Sequence, residues 1–488
     1  MKILIALFFG LLPFAGGYAQ ISGSNFFEFQ YGNLPFQENR DLTTAYNQLN
    51  LFYDQDYLSA SARIERFDSR DNERSYFDLS QALIQYQDDQ FNIRVGNFYE
   101  TLGRGILLRS FDIPGSVFED EFNRVRYGFF RDLEGISGGY TSDRLEVKAM
   151  RVRPLFNPLP PNFEPDSLRR REVIDALQGT VNVNDALSVG GVFMRIEEDR
   201  APGQYQEFGS LLLDMNLASG FQVFGEYAFN TQADVFAFKE QDSYGLYTGV
   251  NYFYQNFGVS LEYKDYNNIL VGSGVNDPPT LIKEHTYPVL NRSTHVPNTS
   301  DERGSQLEAF YNFDAGHSLV FNYARTVNEV FNRFDYEEYF LEGLYQFDEL
   351  FSIKGFIDYA NDEPKAEADR YSFGLITDKS FDYRFGITTD LQFQTFERTF
   401  SGEQVENYYA SLALAFNNNL TISGVFEASS DPNLTDNPTT FPEIETDLRT
   451  WFGMNALYRV KSTHTIQFFA GKRRGGPACT SGICYEIL

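Results

Sequence analysis

The sequence predicts an all-β protein, a transmembrane antiparallel β-barrel of about 24 strands, and three observations carry that prediction. Between Tyr371 and Phe400 the side chains alternate. Tyr383, Phe385, Ile387, Thr389, Leu391 and Phe393 fall on odd positions, and Arg384, Gly386, Thr388, Asp390, Gln392 and Gln394 on even ones. A strand sends successive side chains to opposite faces, so one face here is mostly apolar and the other polar. The second observation is that similar pairs of segments recur along the whole chain with no helical pattern able to cover an apolar sheet face, which leaves lipid as the cover. The third is composition. Aromatic residues make up 17% of the chain, as barrels with two interfacial girdles require, and beyond the N-terminus there is no run of about 18 apolar residues for a spanning helix.

Taken in order, Met1 to Ala19 opens with Lys2, runs through the largely apolar Ile3 to Phe14 and ends Gly17-Tyr18-Ala19, which reads as a cleaved secretory signal peptide. Ile21 to Tyr31 is the first strand. About eleven hairpins with tight turns follow, near 42–67, 75–98, 132–153, 174–197, 205–230, 243–266, 304–326, 336–360, 369–397, 406–427 and 448–472. A last strand begins near Ile483 and completes an even count, the rule in bacterial single-chain barrels. Leu488 falls only a few residues into it, so residues 20–488 read as one outer-membrane barrel lacking the end of its last strand. The alternation has blemishes. Phe224 and Phe310 break otherwise polar faces, and between Phe77 and Tyr86 the apolar parity switches.

The formal charge of -28 argues against nucleic acid, whose phosphates select basic surfaces. Part of the acid excess lies in expected loops and turns, at Glu119, Asp120 and Glu121, at Asp301 and Glu302, and at Asp362, Glu363, Glu367 and Asp369. These read as a solvated surface. The expected inner wall carries both signs: Arg63, Glu65, Arg94, Glu146, Lys148, Glu226, Glu262, Lys264, Glu308, Lys354, Asp358, Arg384 and Asp390.

Three breaks, Tyr99 to Arg131, Arg153 to Glu172 and Asn267 to Arg303, are longer than connections between paired strands usually are. The most unusual stretch is Arg94 to Asp112. Gly96, Gly103 and Gly105 permit close backbone approach or positive φ, and Arg94, Arg104 and Arg109 stand among them beside Glu100 and Asp112. If Gly103 to Ser110 folds inward, its arginines line a constriction able to hold carboxylate or phosphate groups. An ordinary outer loop with glycine kinks is the alternative.

Cys479 and Cys484 are the only cysteines, and in an exported chain an oxidised pair is expected. No cofactor or metal site is expected, because His285, His295, His317 and His464 are scattered and no Cys-x-x-Cys-His occurs. Catalysis has little support. The one Gly-x-Ser-x-Gly match, Gly135 to Gly139, lies inside an expected strand, whereas a nucleophile elbow needs a strand-to-helix turn.

The signal peptide, the hairpin repeat, the stretch GNFYETLGRGILLRSF from Gly96 and the terminal GGPACTSGICYE from Gly475 together resemble a family of poorly characterised porin-like outer-membrane β-barrels of Bacteroidota. The resemblance implies a barrel in the outer membrane of a Gram-negative cell and no established substrate. The expected function is then passive diffusion of small solutes, with outer-membrane lipid and the barrel-assembly machinery as partners. A non-conducting barrel that serves as a scaffold in surface-protein export is the alternative. A receptor with an N-terminal plug is disfavoured, since strands begin almost directly after the signal.

Overall fold

The computed structural model describes residues 20–487 apart from 34–40, 71–73, 120–124, 157–168, 199–202, 218–219, 232–242, 273, 296–300, 315, 329–332, 383, 418, 432–447, 475 and 481–482. The expected signal peptide, 1–19, and the acidic pair Asp120 and Glu121 lie outside the described residues. The chain is all-β and belongs to the transmembrane antiparallel β-barrel class. It divides into two compact units, one of Met1–Leu217, Val223–Thr248 and Tyr266–Pro279, the other of Ala218–Gln222, Gly249–Asp265 and Thr280–Leu488.

In the first unit Gln20–Asn33, Asp41–Gln55, Leu58–Ser69, Tyr76–Gln87 and Phe91–Phe98 pair antiparallel in sequence. Phe91–Phe98 then pairs with Leu133–Thr141, after which Leu145–Pro154, Glu172–Asn184, Leu187–Glu198 and Tyr205–Leu217 follow in order. The second unit repeats the plan from Asp301–Asn312 to His464–Gly471, each strand antiparallel to the next. Two-residue connections close several hairpins, and Asp56, at φ 47° in the turn between Gln55 and Leu58, supplies the left-handed residue such a turn needs.

Each unit has its faces inverted relative to a soluble protein. In the first, Ile136, Leu177, Phe193 and Leu211 are exposed while Glu65, Asn97 and Ser137 are buried; in the second, Ile357, Phe373, Leu375, Leu391 and Phe452 are exposed while Glu338, Asp358, Ser372, Gln392 and Gln394 are buried. Lipid is the solvent that makes this partition favourable. In the second unit the apolar face is bordered by aromatics at both ends. Tyr323, Tyr339, Tyr359 and Tyr371 sit opposite one another on four successive strands, with ring centroids 4.8, 6.4 and 5.0 Å apart. Three of the hydroxyls turn to carboxylates: Tyr323 and Tyr339 each donate to Glu337 and Tyr359 to Asp369. Toward the tight turns a second group forms from Phe381, Phe385 and Phe416. From Tyr371 to Phe381 the strand covers about 33 Å at about 3.3 Å per residue. At a tilt of about 40° that is about 25 Å of height, the apolar band of an outer-membrane barrel.

The parity switch between Phe77 and Tyr86 has a local cause. Arg63 pairs with Gln81 but Ile64 with Leu79, leaving Ser80 as an extra residue. A bulge of this kind moves every later side chain to the opposite face, so both Phe77 and Tyr86 end up exposed.

The expected last strand is a correction. Among the described residues the main sheet has 23 strands, and Ile483–Ile487 pairs with Gly476–Thr480 in a separate ribbon. The partner it takes is the strand immediately before it in sequence. The register sets Cys479 directly opposite Cys484. Mass spectrometry of unreduced peptides is expected to recover the two joined, and two free thiols would exclude the pairing.

Candidate functional site on the inner face

In the first unit the segment after Phe98 leaves the sheet. Thr101–Leu102 pairs with Leu108–Arg109 to form a small hairpin, whose turn takes Gly103 at φ 55° and Gly105 at φ 96°. Both values favour glycine. A side chain at Gly103 would also meet the wall, because a Cβ there would stand 2.6 Å from Oε1 of Glu226. The space is needed for a dock: the N–H of Gly103 donates to Oε1 of Gln178 at 2.9 Å and that of Arg104 to Oε2 of Glu226 at 2.6 Å. Leu102, Ile106, Leu107 and Leu108 are fully buried against Met150, Val152, Ile174, Met194 and Phe208. This hairpin therefore packs as a dry plug against a patch of the buried face that is apolar.

The charged residues of the stretch are engaged by one another and by the wall. Arg94 pairs with Glu100 and lies 4.6 Å over the Phe98 ring, and Lys148 donates to Glu100 at 2.8 Å. Burial opposes ionisation of Glu100, but Lys148 and Arg94 outweigh it and hold the carboxyl below its ordinary range. Arg104 pairs with Asp214 and lies 4.5 Å over Phe224, which accounts for the aromatic blemish on that strand. Asp112 pairs with Arg63 at 3.0 Å. Arg109 is half-buried at the end of the hairpin, and its charge, with that of Arg131, favours ionised Asp277 against a burial that pushes the Asp277 carboxyl up. Arg94, Glu100, Arg104, Arg109 and Asp112 are thus gathered in one unit. Ser137 of the Gly-x-Ser-x-Gly match lies mid-strand and accepts from Arg94 at 3.2 Å.

In the second unit Asp390 lies on the polar face and accepts two bonds from Gln392 at 2.9 Å. Arg384 is a correction. It sits exposed in the turn before Phe385–Arg398, with its guanidinium on Asp382, because the strand begins at Phe385, two residues after the alternation starts, and Asp382 caps the turn through the N–H groups of Arg384 and Phe385.

Within the long break Asn267 to Arg303, the segment from Thr280 to His295 is irregular apart from the short helix Pro288–Asn291. It lies along the polar face. Val289 exchanges bonds of 3.2 Å with Gln392 and Gln394, Tyr287 bonds Glu342, Arg292 pairs with Glu427, and Ser293 offers its carbonyl to Arg370 at 2.9 Å. Arg370 is fully buried and touches Glu338, Asp358 and Glu367. His295 stacks on Tyr336 at 4.4 Å and reaches Asp362 at 3.3 Å, with Glu302 beyond. Glu302 also pairs with the buried Lys264. The reading of Glu302, Asp362 and Glu367 as solvated surface is therefore overturned. They are buried, because an inward segment and a wall strand each bring a cation to them.

Burial disfavours the charged ring of His295, and its bonds to Asp362 and Glu302 outweigh that, raising its pKa above the ordinary 6.5. A raised value means that the native state gains from protonation. The contribution is full below pH 6.5 and is lost as pH rises through the native value. Thermal melts across that window should lose stability toward alkaline pH, and His295→Gln should flatten the dependence.

Among the described residues one group has the composition of a metal centre: His285, Glu338 and Asp358, whose nearest ligand atoms all lie within 4.8 Å of one another. Sequence reading missed it, since the three are 53 and 20 residues apart and each looks ordinary in its own segment.

A model of a family of unknown function, DUF6029, matches residues 19–113 and 197–342. No curated protein matches. Among solved structures the chain is similar to Pseudomonas aeruginosa OccK3 (OpdO), at 15% identity and TM-score 0.43 over 76% of this chain and 97% of that one. It is similar also to Pseudomonas aeruginosa OpdQ, at 13% and 0.41 over 71% and 94%, and to Pseudomonas aeruginosa OccK2 (OpdF) in complex with glucuronate, at 12% and 0.40 over 74% and 96%. At these values the likeness says nothing of solute or mechanism.

Proposed function

We propose that this chain is a porin-like channel of the outer membrane that lets small solutes diffuse passively along a mixed-charge inner face. The observation that supports it most is the inverted partition within each unit, with large apolar side chains exposed and Glu, Asp, Arg and Gln buried on the other face. A lipid-exposed surface does not tolerate polar residues in such number, and the inner face of a channel carries them. An inward segment in each unit lies along that unit's polar face and supplies local fields there.

A second reading has one observation of its own. The hairpin after Phe98 makes a dry apolar core with the wall, which is how a blocked, non-conducting scaffold for export would also be built. Single-channel recording in a planar bilayer separates the two. Stable conductance steps are expected, and their absence from correctly folded protein favours the scaffold.

Replacing Arg104 and Arg109 together with Gln removes two positive charges and leaves Asp214 without its partner. The reversal potential in a salt gradient should shift toward cations. The shift should shrink as salt rises, because charges in a water-filled path are screened. Unchanged selectivity at low salt would place the hairpin outside the conduction path.

A further inference from the structure

We infer that His285, Glu338 and Asp358 form a binding site for one divalent transition-metal cation of the zinc type, which clamps the inward segment Thr280 to His295 onto two wall strands. The three residues come from three places: the inward segment, the strand Phe334–Asp348 and the strand Phe351–Asp362. Phe340 pairs with Asp358 across those strands, so Glu338 and Asp358 are diagonal neighbours on one face, within reach of a common ligand.

The hydrogen-bonding pattern singles out the ligand atoms. Oε1 of Glu338 accepts from Arg370 at 2.8 Å, and Oδ1 of Asp358 accepts from Ser372 at 3.1 Å and Arg370 at 3.4 Å. The other oxygen of each, Oε2 and Oδ2, is buried and makes no hydrogen bond, and neither does Nδ1 or Nε2 of His285. All three residues are at least 96% buried, with exposures of 3%, 1% and 4%. Four orphaned polar atoms on three adjoining residues would destabilise the fold severely if nothing met them. The other carboxylate oxygens already have the outer-shell bonds that orient metal ligands.

The spacing fits as well. The candidate ligand atoms of His285, Glu338 and Asp358 all lie within 4.8 Å of one another, and Nε2 of His285 stands 3.2 Å from Oε1, the Arg370-bonded oxygen of Glu338. Two ligand atoms on one tetrahedral zinc, each about 2.1 Å from it, are about 3.4 Å apart. Charge fits too. Glu338, Asp358 and Glu367 all meet Arg370, and Lys365 acts on Glu367 as well, so negative charge stays in excess and a cation at the Glu338 and Asp358 oxygens reduces it. One nitrogen and two carboxylates suit zinc and its neighbours better than calcium or magnesium, which prefer all-oxygen sites.

The test uses the full-length protein in detergent, stripped with a chelator, reloaded with zinc chloride alone and desalted. Wild type should retain one equivalent. Glu338→Gln and His285→Gln, both close in volume to the native residue, should weaken zinc binding at least a hundredfold in competition with a chromogenic chelator. Folded wild type that retains no zinc, or variants that bind as tightly as wild type, overturn the site. Should the variants fail to fold, X-ray absorption of zinc-loaded wild type decides. Nitrogen and oxygen neighbours with an imidazole signature are expected, and sulfur neighbours would move the ion to the cysteines and refute the assignment. The outcome does not depend on whether the chain conducts.

Discussion

Replacing Arg370 with Leu should destabilise the second unit by about 3–5 kcal/mol, the usual cost of removing one partner from a buried ionic group. Arg370 is the only cation that touches Glu338, Asp358 and Glu367 together among the described contacts, and it is 1% exposed. Without it three carboxylates face one another in a site closed to water, and the carbonyl of Ser293 loses its donor. Lys in its place keeps the charge but not the fork that reaches all four acceptors, so Arg370→Lys should recover only part of the loss. Heat-modifiable mobility and urea melts of the refolded protein provide the measurement. Wild-type stability in Arg370→Leu would mean that the cluster is hydrated and that the described burial is wrong.

Leu391→Arg should cost roughly 2–4 kcal/mol, the price of a cation on the lipid face at the bilayer midplane. Leu391 is 55% exposed and pairs with Leu375, itself 46% exposed, midway between the two aromatic groups. The adjacent Asp390→Asn points the other way and should leave assembly intact. If both variants lose folded protein equally, the assignment of faces fails.

The sequence made the hairpins legible because period two survives noise. All of the expected pairs from 42–67 to 448–472 have a counterpart, and the bulge at Ser80 shows why one strand looked wrong. What stayed hidden was anything that depends on two distant segments meeting. Arg370 and Glu338 look like ordinary polar positions in alternating strands, and only the return of Thr280 to His295 makes them a closed cluster. Acidic residues at strand ends read as surface by the general rule for charged side chains, a rule that fails where an inward segment covers them. The hairpin after Phe98 was half visible. Its glycines pointed to unusual backbone, but Asp214, which pairs with the Arg104 guanidinium, and Glu226, which accepts from the Arg104 backbone N–H, lie more than a hundred residues on. One clue was present and unused: Met150, Val152, Met194 and Ile196 are apolar where the wall should be polar, and Ile106 to Leu108 is an apolar run in a loop.

The two aromatic groups on the second unit amount to a ruler. The tyrosines cannot sink below the headgroups without dragging Glu337 and Asp369 out of water, and the phenylalanines at the other end cannot rise out of the interface without wetting their rings. About 25 Å is shorter than the hydrocarbon thickness of an average bilayer, about 30 Å, and suits the thinner bacterial outer membrane. Lipids with long acyl chains would have to compress around this surface, and that mismatch penalty would by itself favour thin membranes over thick ones, whatever passes along the inner face.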